Sequence, residues 1–153
     1  MSRIRRAGVS VEVPTGWEAA AVGGAEFQGL DTDGSRQMLT LHVASFPLPA
    51  DMATFGASAV ERMGPDDVMV MLVEYGPESA NTPLFAHQGI PRLEPGMFSR
   101  DNLHRTLPGQ SGTQFFFTHE GRAFCLYVVL GSHIDRADLV PKANAIVESL
   151  EIS

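Results

Sequence analysis

The chain has 153 residues, of which 44% are hydrophobic and 19% charged, and its formal net charge at pH 7 is −7. This composition is typical of one soluble globular domain and excludes a disordered tail. The excess of carboxylates disfavours nucleic acid as a partner, since affinity for a polyanion depends on neutralising its phosphates.

Membrane insertion and export are also disfavoured. No apolar run reaches the roughly 18 residues that a membrane span needs. Glu12 and Pro14 interrupt the apolar segment that a signal peptide would need after the basic amino terminus. We therefore expect a cytoplasmic protein with no membrane partner. The single cysteine, Cys125, lies in an apolar run and is expected to be buried.

The first elements are predicted to be two short strands. Residues 9–13 alternate valine with polar residues, as a half-buried strand does. Residues 14–16, Pro-Thr-Gly, predict a turn into a returning strand over residues 17–22. Trp17 is the only tryptophan, and we expect its ring to cap the end of the core. The basic residues 3–6 are expected to be a solvated lead-in to the first strand.

The next segments predict two more strands, a helix and a central strand. Strands are predicted over residues 25–30 and 37–46. Apolar residues recur at spacings of three and four over residues 51–63, which predicts an amphipathic helix. Residues 68–73 are apolar at every position, as in a strand that is covered on both faces, so we place this strand near the centre of the sheet.

Glycine and proline dominate residues 76–112, and this segment is longer than structureless connections usually are. We expect a binding loop. Two apolar runs on either side of the turn at 119–122 then predict a β-hairpin over residues 113–131. Helical spacing predicts an amphipathic helix over 138–149, with Pro141 tolerated if it lies in the first turn. A short last strand is predicted over residues 150–152.

No motif in the sequence predicts a catalytic or metal site. GQSGT approaches the nucleophile elbow of hydrolases, but Thr113 replaces the last glycine and Ser111 precedes a strand instead of a helix. The five histidines lack the spacing of a zinc site. His133 and Asp135 could share a metal, although a loop that caps the last helix explains both more simply. We expect no cofactor and no metal.

The strongest functional signal is a set of basic and aromatic residues in the 77–112 loop of an otherwise acidic protein. Arginine and aromatic residues are enriched at binding hot spots, and arginine binds carboxylates in a bidentate manner. The predicted function is a non-catalytic binding or docking module that recognises a protein or a small acidic ligand through this loop and the neighbouring turn at 119–122. The candidate contacts are Arg92, Phe98, Arg100 and His104.

Two alternative functions remain open. Glu74, Asp101 and His104 could form the carboxylate and histidine site of a small hydrolase or isomerase. The apolar edge at residues 115–117 could instead form the interface of a homodimer.

Both ends of the chain resemble the Mog1/PsbP-like domains. The resemblance rests on GVSVEVPTGWE and VVLGSHIDRADLVPKANAIVESLEI, and it covers roughly residues 8–22 and 113–152. It implies an α+β fold in which helices pack on both faces of a single antiparallel sheet, used mainly as a non-catalytic docking module. No residue matches a functional motif of the family. We therefore predict one domain over residues 1–153, an α/β/α sandwich whose helices are 51–63 and 138–149.

Overall fold

The computed structural model describes residues 2–23, 38–50 and 58–153. These residues form eight β-strands, one α-helix and several short 3-10 turns. In chain order the elements are β1 (Ser2–Arg6), β2 (Val9–Val13), β3 (Glu18–Val22), β4 (Thr40–Ala44), β5 (Val68–Tyr75), β6 (Ser111–His119), β7 (Arg122–Leu130), α1 (Arg136–Ser149) and β8 (Glu151–Ile152).

The strands form two antiparallel sheets. Three strands pair in the order β1-β2-β8, and five pair in the order β3-β4-β5-β7-β6. The predicted α+β architecture, one sheet sandwiched by two helices, is therefore wrong. The described residues are mostly β, with two sheets and a single α-helix.

The second sheet exists because the basic amino terminus is a strand and not a solvated lead-in. Ala7 and Gly8 both have positive φ, 53° and 79°, and so form the two-residue turn that joins β1 to β2. Arg3 lies directly opposite Glu12 and forms ion pairs with Glu12 at 3.4 Å and with Glu151 at 3.0 Å. These cross-strand charges favour pairing of β2 with β1 and β8 instead of with β3.

Only one of the two predicted helices is observed as an α-helix. Residues 51–57 lie outside the described residues, and the part of the predicted helix that is described contains a 3-10 turn at Val60–Arg62. α1 begins at Arg136, so Pro141 lies beyond the first turn, where its missing N–H removes one intrahelical hydrogen bond. No helix in the described part of the chain is long and apolar enough to span a membrane.

The main core lies between one face of the five-stranded sheet and a layer formed by α1 and β2. The predicted central position of β5 is confirmed, and its side chains alternate between this core and a second cluster on the opposite face. Val70 and Leu72 face the main core, whereas Met69 and Met71 face the second cluster. Trp17 is half-buried and packs against the main core where the chain passes from one sheet to the other.

The remaining strand predictions agree with the structure where it describes them. β3 and β4 lie within the predicted ranges 17–22 and 37–46, while the predicted strand at 25–30 lies outside the described residues. The β6–β7 hairpin is confirmed, and its turn residues Glu120 and Gly121 have φ of 50° and 80°. The short last strand is confirmed as β8, which pairs with β2.

The 76–112 segment is not an open loop but a cover for the edge strand β6. Ser99 and Gly112 exchange two backbone hydrogen bonds of 2.9 Å, and Thr118 bonds to the backbone of His87 and Gly89 at 2.8 Å. An edge strand presents unpaired N–H and C=O groups, and these bonds satisfy some of them. The segment also buries the large apolar side chains of Phe85, Leu93 and Phe98.

This cover also encloses the apolar edge at residues 115–117. Phe117 is fully buried in the main core, Phe115 packs edge-on against His87, and Phe116 packs edge-on against Phe85. Much of the aromatic surface on which the homodimer alternative depends is therefore covered within one chain. The homodimer stays a prediction that the molar mass in solution would test.

Candidate functional site

The four predicted contact residues lie in separate parts of the surface and core. Phe98 is 3% exposed and belongs to the main core, so its role is packing. Arg92 is 70% exposed and its Nη1 donates to Glu148 Oε1 of α1 over 2.8 Å. His104 is exposed on the other face of the five-stranded sheet, where its ring packs edge-on against Tyr127. Arg100 is exposed, its charge acts on His133, and among the described residues no carboxylate forms an ion pair with it.

The residues of the hydrolase alternative are not assembled into one site. Glu74 projects to the face of the main core and accepts two hydrogen bonds of 2.8 Å from Arg122. His104 projects to the opposite face, where its Nε2 lies 2.6 Å from Gln114 Oε1. Because the sheet separates Glu74 from His104, these two side chains cannot act on the same substrate atom.

A shallow groove separates residues 90–95 from α1. Two cavities of about 330 Å³ and about 230 Å³ lie along it, and Arg92, Asn144 and Glu148 border both. The Asn144 side chain is buried and holds the opposite wall, since it accepts from the Leu93 N–H and donates to the Leu93 carbonyl, both over 2.9 Å. The Arg92–Glu148 pair already neutralises the charges at one end of the groove.

The candidate site is at the beginning of α1, where His133 contacts Arg136 and the hydroxyl of Ser111 and where the charge of Arg100 also acts on His133. We call these four residues the cationic cluster. His133 Nδ1 lies 2.8 Å from Ser111 Oγ, and Arg136 Nη1 lies 2.9 Å from the same nitrogen and also contacts Nε2. The Arg136 guanidinium therefore lies directly against the imidazole.

Three structural elements position the cationic cluster. Ser111 is the first residue of β6, and Arg136 is the first residue of α1. The loop between β7 and α1 carries His133, whose backbone N–H donates to the Gly109 carbonyl over 2.7 Å. Arg100 opens a 3-10 turn whose preceding residue, Ser99, is bonded to β6. The edge of the five-stranded sheet thus holds all four residues.

The charges in the cluster are of one sign. Burial lowers the pKa of His133 below its ordinary value, and the charges of Arg136 and Arg100 lower it further. Within the residues that the structure describes, neither Arg100 nor Arg136 forms an ion pair with a carboxylate. The Arg136 guanidinium against the imidazole, together with the charge of Arg100 that acts on the same ring, favours an anion next to His133.

The Ser111–His133 pair does not form a nucleophile and its base. Ser111 is fully buried, so its hydroxyl is closed to a substrate. The imidazole contacts the Arg136 guanidinium, whereas in a Ser-His-Asp triad the histidine contacts a carboxylate that stabilises its protonated form. The pair therefore orients the imidazole.

Sequence reasoning identified Arg100 but missed its partners. Ser111 had been considered as a nucleophile and His133 as a metal ligand, each by itself, and Arg136 was not considered. The spacing of His133 and Arg136, three residues apart at the start of a helix, was the one local signal. The approach of Arg100 and Ser111 depends on how the 76–112 segment packs along β6.

No group of three or more His, Cys, Asp or Glu side chains that could hold a metal ion occurs in the described ranges. The comparisons with known proteins add no assignment: no family model, no curated protein and no solved structure matches the chain. The resemblance to the Mog1/PsbP-like domains therefore stays a prediction.

Proposed function

We propose that the protein is a binding module that holds an anionic group of its ligand in the cationic cluster. The observation that carries the proposal is the contact of the Arg136 guanidinium with His133, on which the charge of Arg100 also acts, with no carboxylate bound to either guanidinium among the described residues. The ligand is an acidic small molecule or an acidic group carried by a protein.

The electrostatics of the whole chain make this cluster distinctive. The formal net charge is −7, and Arg3, Arg92, Arg105 and Arg122 all form ion pairs with glutamates. An anion next to His133 offsets the positive charges of Arg136 and Arg100, both of which act on this ring. Guanidinium groups also present several N–H donors in one plane, so they bind oxyanions with directed hydrogen bonds as well as charge.

The test measures anion binding by the purified protein and by matched variants. Inorganic phosphate and sulfate serve as probes, and binding is followed by NMR chemical-shift perturbation at constant ionic strength. We expect shifts around residues 100, 111, 133 and 136. Arg100→Gln and Arg136→Gln should each weaken binding about tenfold or more, since each removes one charge-assisted contact.

Arg62→Gln is the control variant. Arg62 is exposed in the 3-10 turn at Val60–Arg62. Its substitution removes one positive charge, as the other two substitutions do, but from another part of the surface. The variant should bind the probes as the parent does. Equal weakening by all three substitutions would show that only the net charge matters, and the proposal would then be wrong.

A further inference from the structure

We infer that the cationic cluster selects a dianionic oxyanion, such as the phosphate of a phosphomonoester, and that His133 takes up a proton when the dianion binds. This inference rests on the proposed function and specifies the ligand class and the pH dependence of the same site.

The selectivity follows from the number of charges. Arg100 and Arg136 are always protonated, and the Arg136 guanidinium, 2.9 Å from His133 Nδ1, disfavours the protonated form of the imidazole. The two guanidinium groups therefore supply two positive charges. A carboxylate would compensate one of them, whereas a dianion compensates both. The terminal oxygens of a phosphomonoester also accept hydrogen bonds from guanidinium groups and from a protonated imidazole.

The proton uptake follows from the groups that face His133. Arg136 approaches it from α1, Ser111 approaches it from β6, and Arg100 acts on it from the 3-10 turn. Asp101 and Asp135 are neighbours of the cluster in the chain, but neither forms an ion pair with its arginines within the described residues.

Burial, and then the positive charges of Arg136 and Arg100, disfavour the protonated form of the free imidazole and lower its pKa. A bound dianion adds an opposite charge next to the ring and favours the protonated form. By linkage, an anion that promotes protonation must itself bind more tightly as the pH falls.

Sulfate is the appropriate probe, because it stays dianionic across the pH range in which histidine titrates. Its dissociation constant is measured by isothermal titration calorimetry at constant ionic strength. Between about pH 8 and about pH 5.5 we expect the affinity for sulfate to rise about tenfold. Acetate, a monoanion, should bind about tenfold more weakly than sulfate at either pH.

The variant His133→Asn separates proton uptake from anion binding. Asparagine retains a polar group next to Ser111 and does not titrate. The variant should still bind sulfate, but with the same affinity at both pH values. A second measurement needs no variant: the pKa of His133, read from its ring proton resonances, should rise when sulfate is added to the wild-type protein.

The outcomes distinguish the two proposals. The proton uptake is refuted if the sulfate affinity of the wild-type protein and of His133→Asn depends on pH in the same way and if sulfate leaves the pKa of His133 unchanged. The proposed function stands in that case, provided that sulfate binds and that its binding requires Arg136. Equal affinities for acetate and sulfate refute the selectivity alone. If no anion binds at any pH, the proposed function itself is refuted.

Discussion

Acid should destabilise this protein through His42, a histidine in the interior of the five-stranded sheet. His42 is 4% exposed and lies opposite Met71 on the neighbouring strand, and none of the described residues forms a hydrogen bond with its Nε2. Desolvation by burial lowers its pKa from 6.5 to about 4. The folded state therefore keeps this imidazole neutral at a pH where the unfolded chain is protonated.

The sign and the size of the effect follow from these two pKa values. Above pH 6.5 both states are neutral at His42, and the full stability is present. As the pH falls below 6.5 the unfolded chain binds the proton first, so stability is lost, and the loss is complete below about pH 4. At about 1.4 kcal/mol for each pH unit between the two pKa values, the total loss is about 3 kcal/mol. About 1.4 kcal/mol of it should be lost by about pH 5.5, before most carboxylates titrate.

Urea denaturation gives the free energy of unfolding at several pH values. We compare the wild-type protein with His42→Leu, which cannot be protonated, and with His87→Gln, which alters an exposed histidine. Between about pH 7.5 and about pH 5.5 the wild-type protein and His87→Gln should each lose about 1.4 kcal/mol more than His42→Leu. The lowered pKa of His133 contributes a loss that is common to all three proteins, so the difference isolates His42. Parallel loss of stability in all three proteins would refute the assignment of the effect to His42.

Three further predictions concern groups that the fold leaves paired or enclosed. Glu74→Gln should destabilise the protein by about 3 kcal/mol, because it leaves the largely buried Arg122 without its carboxylate. Arg92→Gln removes an exposed ion pair and should change the free energy of unfolding by less than about 1 kcal/mol in the same urea titration. Asn144→Ala should lower the free energy of unfolding by about 2 kcal/mol, since the buried N–H and carbonyl of Leu93 lose their hydrogen-bond partner. Asn144→Gln should not recover this stability, because the longer side chain cannot place its amide for both hydrogen bonds. Burial raises the pKa of the Cys125 thiol to about 12, so iodoacetamide at about pH 8 should modify the denatured protein and leave the native protein unmodified; rapid modification of the native protein would contradict this burial.

Local patterns in the sequence determined most of the regular elements. The alternation of residues 9–13, the continuous apolar run at 68–73 and the two apolar runs around Gly121 each match an observed strand. Residues 138–149 lie within α1, because the spacing of their apolar residues defines one buried face. These predictions succeeded since the period of side-chain burial is a property of each segment by itself.

Tertiary structure decided which sheet each strand joins. Nothing in the local pattern of β2 indicates that it pairs with β1 and β8 and not with β3, because pairing depends on contacts with distant segments such as that of Val9 with Ile152. The Gly- and Pro-rich segment likewise has no period, and its burial of Phe98 follows from its position along the edge of β6.

The cationic cluster also exists only in three dimensions. Arg100, Ser111, His133 and Arg136 are ordinary residues in their own segments, and three of them were set aside or not considered in the sequence. They become a site because the 76–112 segment covers the edge of β6 and carries Arg100 to the beginning of α1. The sequence by itself determined the strands, the helix and the excess of negative charge. The packing of segments far apart in the chain brought the positive charges together, because electrostatic interactions depend on distance in space and not along the chain.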